Sequence, residues 1–176
     1  VLAKQLADMR WIKDSITKDE WSSLKYFNTL SQRSRALARN LASLGWVQDD
    51  VTPRESQALD HMTFLAVEEP ASAHLIAGFS WFFDNLSADE VTVLADLKAL
   101  ATQDLTLVQN LTRNPWVVDG PSGDSRAALS SIRLLAHRDT TIAKYVASYA
   151  WTGDSITTHE AYSLNFITDL QNYDAA

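Results

Sequence analysis

The chain has no cysteine in its 176 residues. That excludes disulfides, thiolate catalysis and cysteine-ligated zinc. Glycine is scarce at five residues, too few and too scattered for a phosphate-cradling loop. No apolar run approaches the roughly 18 residues of a membrane span, and no targeting segment is visible. Basic residues are also in deficit, 15 Lys/Arg against 22 Asp/Glu, for a net charge of −7. Nucleic-acid binders need a basic surface, so neither a nucleic-acid partner nor membrane insertion is expected. The lack of cysteine fits either redox compartment. It leans toward an extracellular or cell-surface setting, where a stray thiol is a liability.

What the chain does contain is tryptophan at a fixed interval. Trp11, Trp46, Trp81, Trp116 and Trp151 follow one another at 35 residues without insertion or deletion. Tryptophan is too rare for chance to do this, and a fixed period of this length marks a tandem repeat. With each Trp as position zero, +3 is always aspartate: Asp14, Asp49, Asp84, Asp119 and Asp154. Position +6 is always Thr or Ser, and +9 is Glu20, Glu55, Glu90 and Glu160, with Ser125 the exception. Leucine fills +13 (Leu24, Leu59, Leu94, Leu129, Leu164) and +19 (Leu30, Leu65, Leu100, Leu135, Leu170).

The +6/+9 pair is a capping box. The hydroxyl accepts the N–H three residues on, and the carboxylate reaches back to the cap's own N–H. A helix A therefore starts after +6 in every repeat, with Pro53 at a first helical position where its missing N–H costs nothing. Apolar residues before the cap, such as Ile16, Val51, Leu86 and Ile156, are placed to staple the entry. Its apolar stripe at +13, +16, +19 and +20 ends near +22. New caps at +23 (Ser34, Asp104, Asp139) start a helix B, which carries small residues at +27 and +31. Small residues four apart lie above one another and admit a close neighbour. Helix B is expected to end around the next Trp.

The expected fold is all-α. Five two-helix repeats of 35 residues give about ten helices in a right- or left-handed α-solenoid. Residues 1–176 form a single array. It begins inside a helix B and stops after a helix A, so it reads as a window from a longer array. The charge is uneven along it: residues 1–50 carry eight Lys/Arg against six Asp/Glu, while 51–176 carry seven against sixteen.

No catalytic constellation emerges. His159-Glu160 is not an H-E-x-x-H helix, because position 163 is serine. Ser122-Gly123-Asp124-Ser125 lacks the strained serine elbow. The Asp at +3 offers one or two carboxylates per loop, whereas calcium takes six or more oxygens. Accepting loop N–H groups is the better role for it. No enzyme activity, cofactor or metal is therefore expected. The invariant Trp reads as a packing wedge between repeats rather than a ligand platform. Positions that break the rhythm are the candidates for binding. The outer face of helix A, taken as +11, +14 and +18, presents Phe64, Leu134 and Tyr162. Trp21 stands outside the tryptophan phase and is expected to be exposed.

In length the helical pair resembles the tetratricopeptide class, but the W-x-x-L-G-x-x-Y signature is absent. The pattern W-x-x-D-x-x-[ST]-x-x-E is similar to helical repeat arrays of large uncharacterised bacterial proteins, some secreted. In some of those, the array accompanies a zinc metallopeptidase module. The resemblance implies fold and context only, since no peptidase motif lies in these residues. Three functions fit: a non-enzymatic scaffold binding protein or peptide, a structural spacer or stalk, and an accessory module beside a separate catalytic domain.

Overall fold

The computed structural model describes residues 2–174 and is helical throughout, with no strand among the described residues. Val1, Ala175 and Ala176, the outer limits of the expected array, lie outside the described residues. Long helices follow each tryptophan: α3 (Lys18–Arg33), α6 (Pro53–Glu68), α8 (Ala88–Ala101), α11 (Gly123–Arg138) and α13 (Thr158–Asp174). Short helices α1 (Leu2–Ala7), α4 (Arg35–Leu41), α7 (Pro70–Ile76), α9 (Leu105–Leu111) and α12 (Thr140–Ala147) lie between them.

The caps expected from sequence are present. Thr17, Thr52 and Ser87 each close a capping box with Glu20, Glu55 and Glu90. Thr157 does so with Glu160, whose carboxylate accepts the Thr157 N–H at 2.8 Å. In the fourth unit Ser125 replaces the glutamate, and the Ser122 hydroxyl alone caps the Ser125 N–H at 3.1 Å. The staple residues Val51, Leu86 and Ile156 are buried, but Ile16 is exposed.

The helix count differs from the ten expected. Each tryptophan sits inside a third, short helical segment rather than at the end of helix B. These are α2 (Arg10–Lys13), α5 (Gly45–Asp49), α10 (Pro115–Val118) and the 3₁₀ turns Ser80–Phe82 and Ala150–Gly153. The cause is local. After α4 the N–H groups of Ser43 and Leu44 bond three residues back, to Asn40 and Leu41, which tightens and closes the helix. The residue two before the Trp is then extended: Met9, Leu44, Phe79, Asn114 and Tyr149 all have φ between −62 and −74° and ψ between 134 and 145°. One extended residue is enough to stop helix B and begin a new turn.

That turn aims the indole into the seam between units. Trp11 Nε1 donates to the Val47 carbonyl at 2.6 Å, and Trp46 to Phe82 at 2.9 Å. Trp81 donates to Val117 at 2.9 Å and Trp116 to Thr152 at 2.7 Å. Every acceptor is the residue just after the next tryptophan. These four rings are buried, while Trp151 is only half-buried. A buried indole needs a partner for its N–H, and here that partner is always the following unit.

The long helices pack in chain order, α3 on α6, α6 on α8, α8 on α11 and α11 on α13; of the short ones α1 packs on α4, α7 on α9 and α9 on α12, with α4 bonded to the end of α7 through Asn40 and the Ala77 carbonyl at 3.4 Å. Leu59, Leu94, Leu129, Leu30, Leu65, Leu100 and Leu135 are fully buried between them. The small residues at +31 behave as expected. Ala42 and Ala77 are buried, and the variant Thr112 hydrogen-bonds Ser72 of the preceding unit at 3.2 Å.

Candidate functional site

Each long helix has two working faces. Toward the following unit it presents +8, +12 and +15. Toward the preceding one it presents +7, +10 and +17, while +14 turns either way, Asp60 reaching the following unit and Ser130 the preceding one. Asp89 meets Arg126 at 3.0 Å, Asp96 meets Arg133 at 2.6 Å, and Asp60 meets Lys98 at 2.5 Å. Ser23 and Ser56 share a hydrogen bond of 3.3 Å. Because Lys98 lies beside His61, burial and that cation hold the imidazole below its usual range, against the pull of Asp60. Burial and the Asp60 carboxylate raise the Tyr26 hydroxyl.

The short helices repeat a second contact. The +23 cap of one unit meets +28 of the next: Ser34 with His74 at 3.1 Å, Glu69 with Gln109 at 2.7 Å, and Asp104 with Lys144. Asp104 also caps its own helix through the Thr106 and Leu107 N–H groups. Burial alone would raise its carboxyl. The Lys144 ammonium and the two N–H groups outweigh that and hold it below the ordinary value. A depressed carboxyl stabilises the fold above its unfolded pKa and loses that contribution as pH falls through the lower folded value. Asp104→Asn keeps a capping oxygen but removes the charge. The melting-temperature gap between parent and variant should be constant from neutrality to about pH 5 and should narrow below about pH 4. A gap that does not vary with pH would exclude the ion pair as its source.

The four binding candidates do not form one surface. Trp21, 54% exposed, lies on α3 at the leading end, with Lys25 Nζ 5.2 Å from its ring centroid. It occupies position +10, which is buried at Ser56, Val91 and Ala161. Trp21 is therefore exposed because no earlier helix covers it, not because it is out of register. Tyr162, 59% exposed, lies on α13 at the other end of the helix order. Leu134 on α11 is 40% exposed. Phe64 departs from expectation: it is half-buried against the core, with Lys98 Nζ 5.3 Å from its ring. The outer-face assignment was too broad, since +14 belongs to the interface: Asp60 pairs with Lys98, and Ser130 donates to Asp96 at 2.6 Å.

The sequence reading missed the end faces. At the leading end a groove of about 490 Å³ opens between α1, α3 and α4, lined by Leu2, Leu6, Leu24 and Phe27 and rimmed by Arg35 and Arg39. At the trailing end Phe166 and Leu170 are 69% and 62% exposed, beside Tyr162. Sequence could have revealed this, because +19 is fully buried in the other four units. Among the described residues no set of acidic or histidine side chains is placed to hold a metal ion, and no helix is long and apolar enough to cross a membrane. Two of the +3 aspartates serve their turns: Asp14 accepts the Ser15 N–H at 3.0 Å and Asp154 that of Ser155 at 2.9 Å. His159 is exposed and Glu160 is committed to its cap. No family model, curated protein or solved structure matches the chain.

Proposed function

We propose that the chain is a non-enzymatic α-solenoid scaffold of five 35-residue helical units that binds a protein or peptide partner. One observation carries the reading. The tryptophan rhythm of the sequence coincides with nearest-neighbour packing and with four indole hydrogen bonds, each spanning 36 residues. Stability of that kind leaves side surfaces at liberty to vary. Leu75, Leu105 and Leu134, exposed along the sides, are the contact residues this reading selects. Selection of displayed peptides on the immobilised chain tests it. An enriched peptide family that loses about tenfold in affinity on Leu134→Asp or Leu75→Asp supports partner binding. A selection with no enriched family, or with peptides indifferent to these changes, sinks it.

A second reading, a structural spacer, has its own support. Four of the five large exposed aromatics lie toward the two ends, Trp21 at one and Tyr145, Tyr162 and Phe166 at the other, with mid-chain Phe83 the exception. A spacer needs ends that join and sides that do little.

A further inference from the structure

The polar tie between α6 and α8 is built on one carboxylate oxygen. Lys98 Nζ of α8 reaches Asp60 Oδ2 at 2.5 Å. His61 Nδ1, on the same helix as Asp60, stands 3.5 Å from that same oxygen. The ring nitrogen is buried and has no hydrogen-bond partner. Lys98 also lies over the Phe64 ring of α6, 5.3 Å from its centroid, so one ammonium serves two contacts across the junction. We propose that this junction is an acid-sensitive joint, in which protonation of His61 displaces Lys98 from Asp60 and loosens α6 from α8.

Charge dictates the sense of the change. With a neutral imidazole, one cation and one anion meet between the helices. A proton on Nδ1 brings a second cation to the same oxygen. The new cation is carried by α6, the helix that already carries Asp60, so the pair it forms ties nothing to α8. Its competitor is the cross-helix partner. Repulsion between two partly buried cations is only weakly screened. Burial and Lys98 hold the imidazole below its ordinary value, against the pull of Asp60. Stability set by such a group is complete above its unfolded pKa, about 6.5, and is lost as pH falls through the lower folded value.

The surrounding groups leave His61 as the group that responds. From α3, Tyr26 faces Asp60, with Asp19 acting on the same hydroxyl. From α7, His74 is bonded to Ser34. On α6, Arg54 donates to the Leu86 carbonyl at 3.3 Å and Glu55 closes its capping box. On α8, Glu90 closes its own box, while Asp89 and Asp96 turn to Arg126 and Arg133. Those guanidinium ties of α8 to α11 stay charged throughout this pH range. His74, His137 and His159 are exposed, unlike His61.

NMR titration of the 176-residue chain from about pH 8 to about pH 5 tests the joint. The His61 ring, assigned as the signal missing from His61→Gln, should titrate below about 6.5. Amide shifts following the same midpoint should lie on α8 around Lys98 as well as on α6. Lys98→Met should raise that midpoint. Across the same range the urea midpoint of the parent should fall further than that of His61→Gln. A ring that titrates at or above about 6.5 overturns the proposal. So do amide changes confined to α6, a midpoint unmoved by Lys98→Met, or a His61→Gln chain with the parent's pH response. The parent titration and Lys98→Met decide the matter even if His61→Gln fails to fold. Because only the α6–α8 contact is at stake, failure here leaves the scaffold reading standing.

Discussion

Trp81→Ala is expected to lower the unfolding free energy by about 3–5 kcal/mol. The ring is buried at the middle junction, edge-on to Phe82 with centroids 5.7 Å apart and tilted on Phe79 at 5.8 Å. A Cβ added at Gly120 would lie 3.9 Å from its Cβ and Cδ1, and the φ of +121° at Gly120 is one that side-chain-bearing residues rarely adopt. Alanine removes the packing and also leaves the Val117 carbonyl without its indole donor. Trp81→Phe separates the two losses. It keeps one aromatic ring while removing the N–H and part of the ring volume, so it should cost less than alanine but no less than the about 1–3 kcal/mol of an unmade buried hydrogen bond. Trp151→Phe should cost clearly less, because that indole is half-buried and donates to no following unit among the described residues. Urea unfolding followed by circular dichroism gives all three values. Equal costs for Trp81→Phe and Trp151→Phe would remove the hydrogen bond from the account.

A middle-junction change has a second readout. If the proposed solenoid reading holds and units pack mainly on their neighbours, stability is a sum of unit and junction terms. Weakening the Trp81–Val117 junction should therefore reduce the denaturant slope or split the transition, with the two sides unfolding in sequence. A single transition with an unchanged slope would mean that the remaining contacts of α8 with α11 suffice to couple the halves.

How much of this was legible beforehand depends on which force set the feature. The starts of the long helices could be placed to the residue, because a capping box is a local code and Thr17, Thr52, Ser87 and Thr157 all use it. The break between helix B and the tryptophan turn was not legible. It rests on one extended residue at +33, where Met9, Leu44, Phe79 and Tyr149 read as a continuing apolar stripe of helix B and Asn114 breaks it, so nothing in the residue types marks a break. Only the backbone conformation recurs in all five, with a buried indole behind it in four. The indole bond itself could not be read, since its acceptor is a backbone carbonyl and carries no sequence mark. Phe64 was misplaced for a related reason. A helical wheel locates one face, but a helix flanked on both sides by neighbours has interface at +14 as well, and Lys98 crosses from the next helix to cover the ring.

Leu100→Ala and Leu170→Ala make the sharpest paired comparison, because both leucines stand at +19 and differ only in what lies beyond them. Leu100 is fully buried, and its truncation should cost about 2–5 kcal/mol, the range for a core leucine whose cavity cannot fully collapse. Leu170 is exposed on α13, and in the monomer its truncation should change stability by no more than about 0.5 kcal/mol. A conserved phase with such unequal consequences would show that burial here comes from the neighbouring unit and not from the helix that bears the leucine. If Leu170→Ala proved as costly as Leu100→Ala, its side chain would have to be covered within the chain, against the 62% exposure seen here.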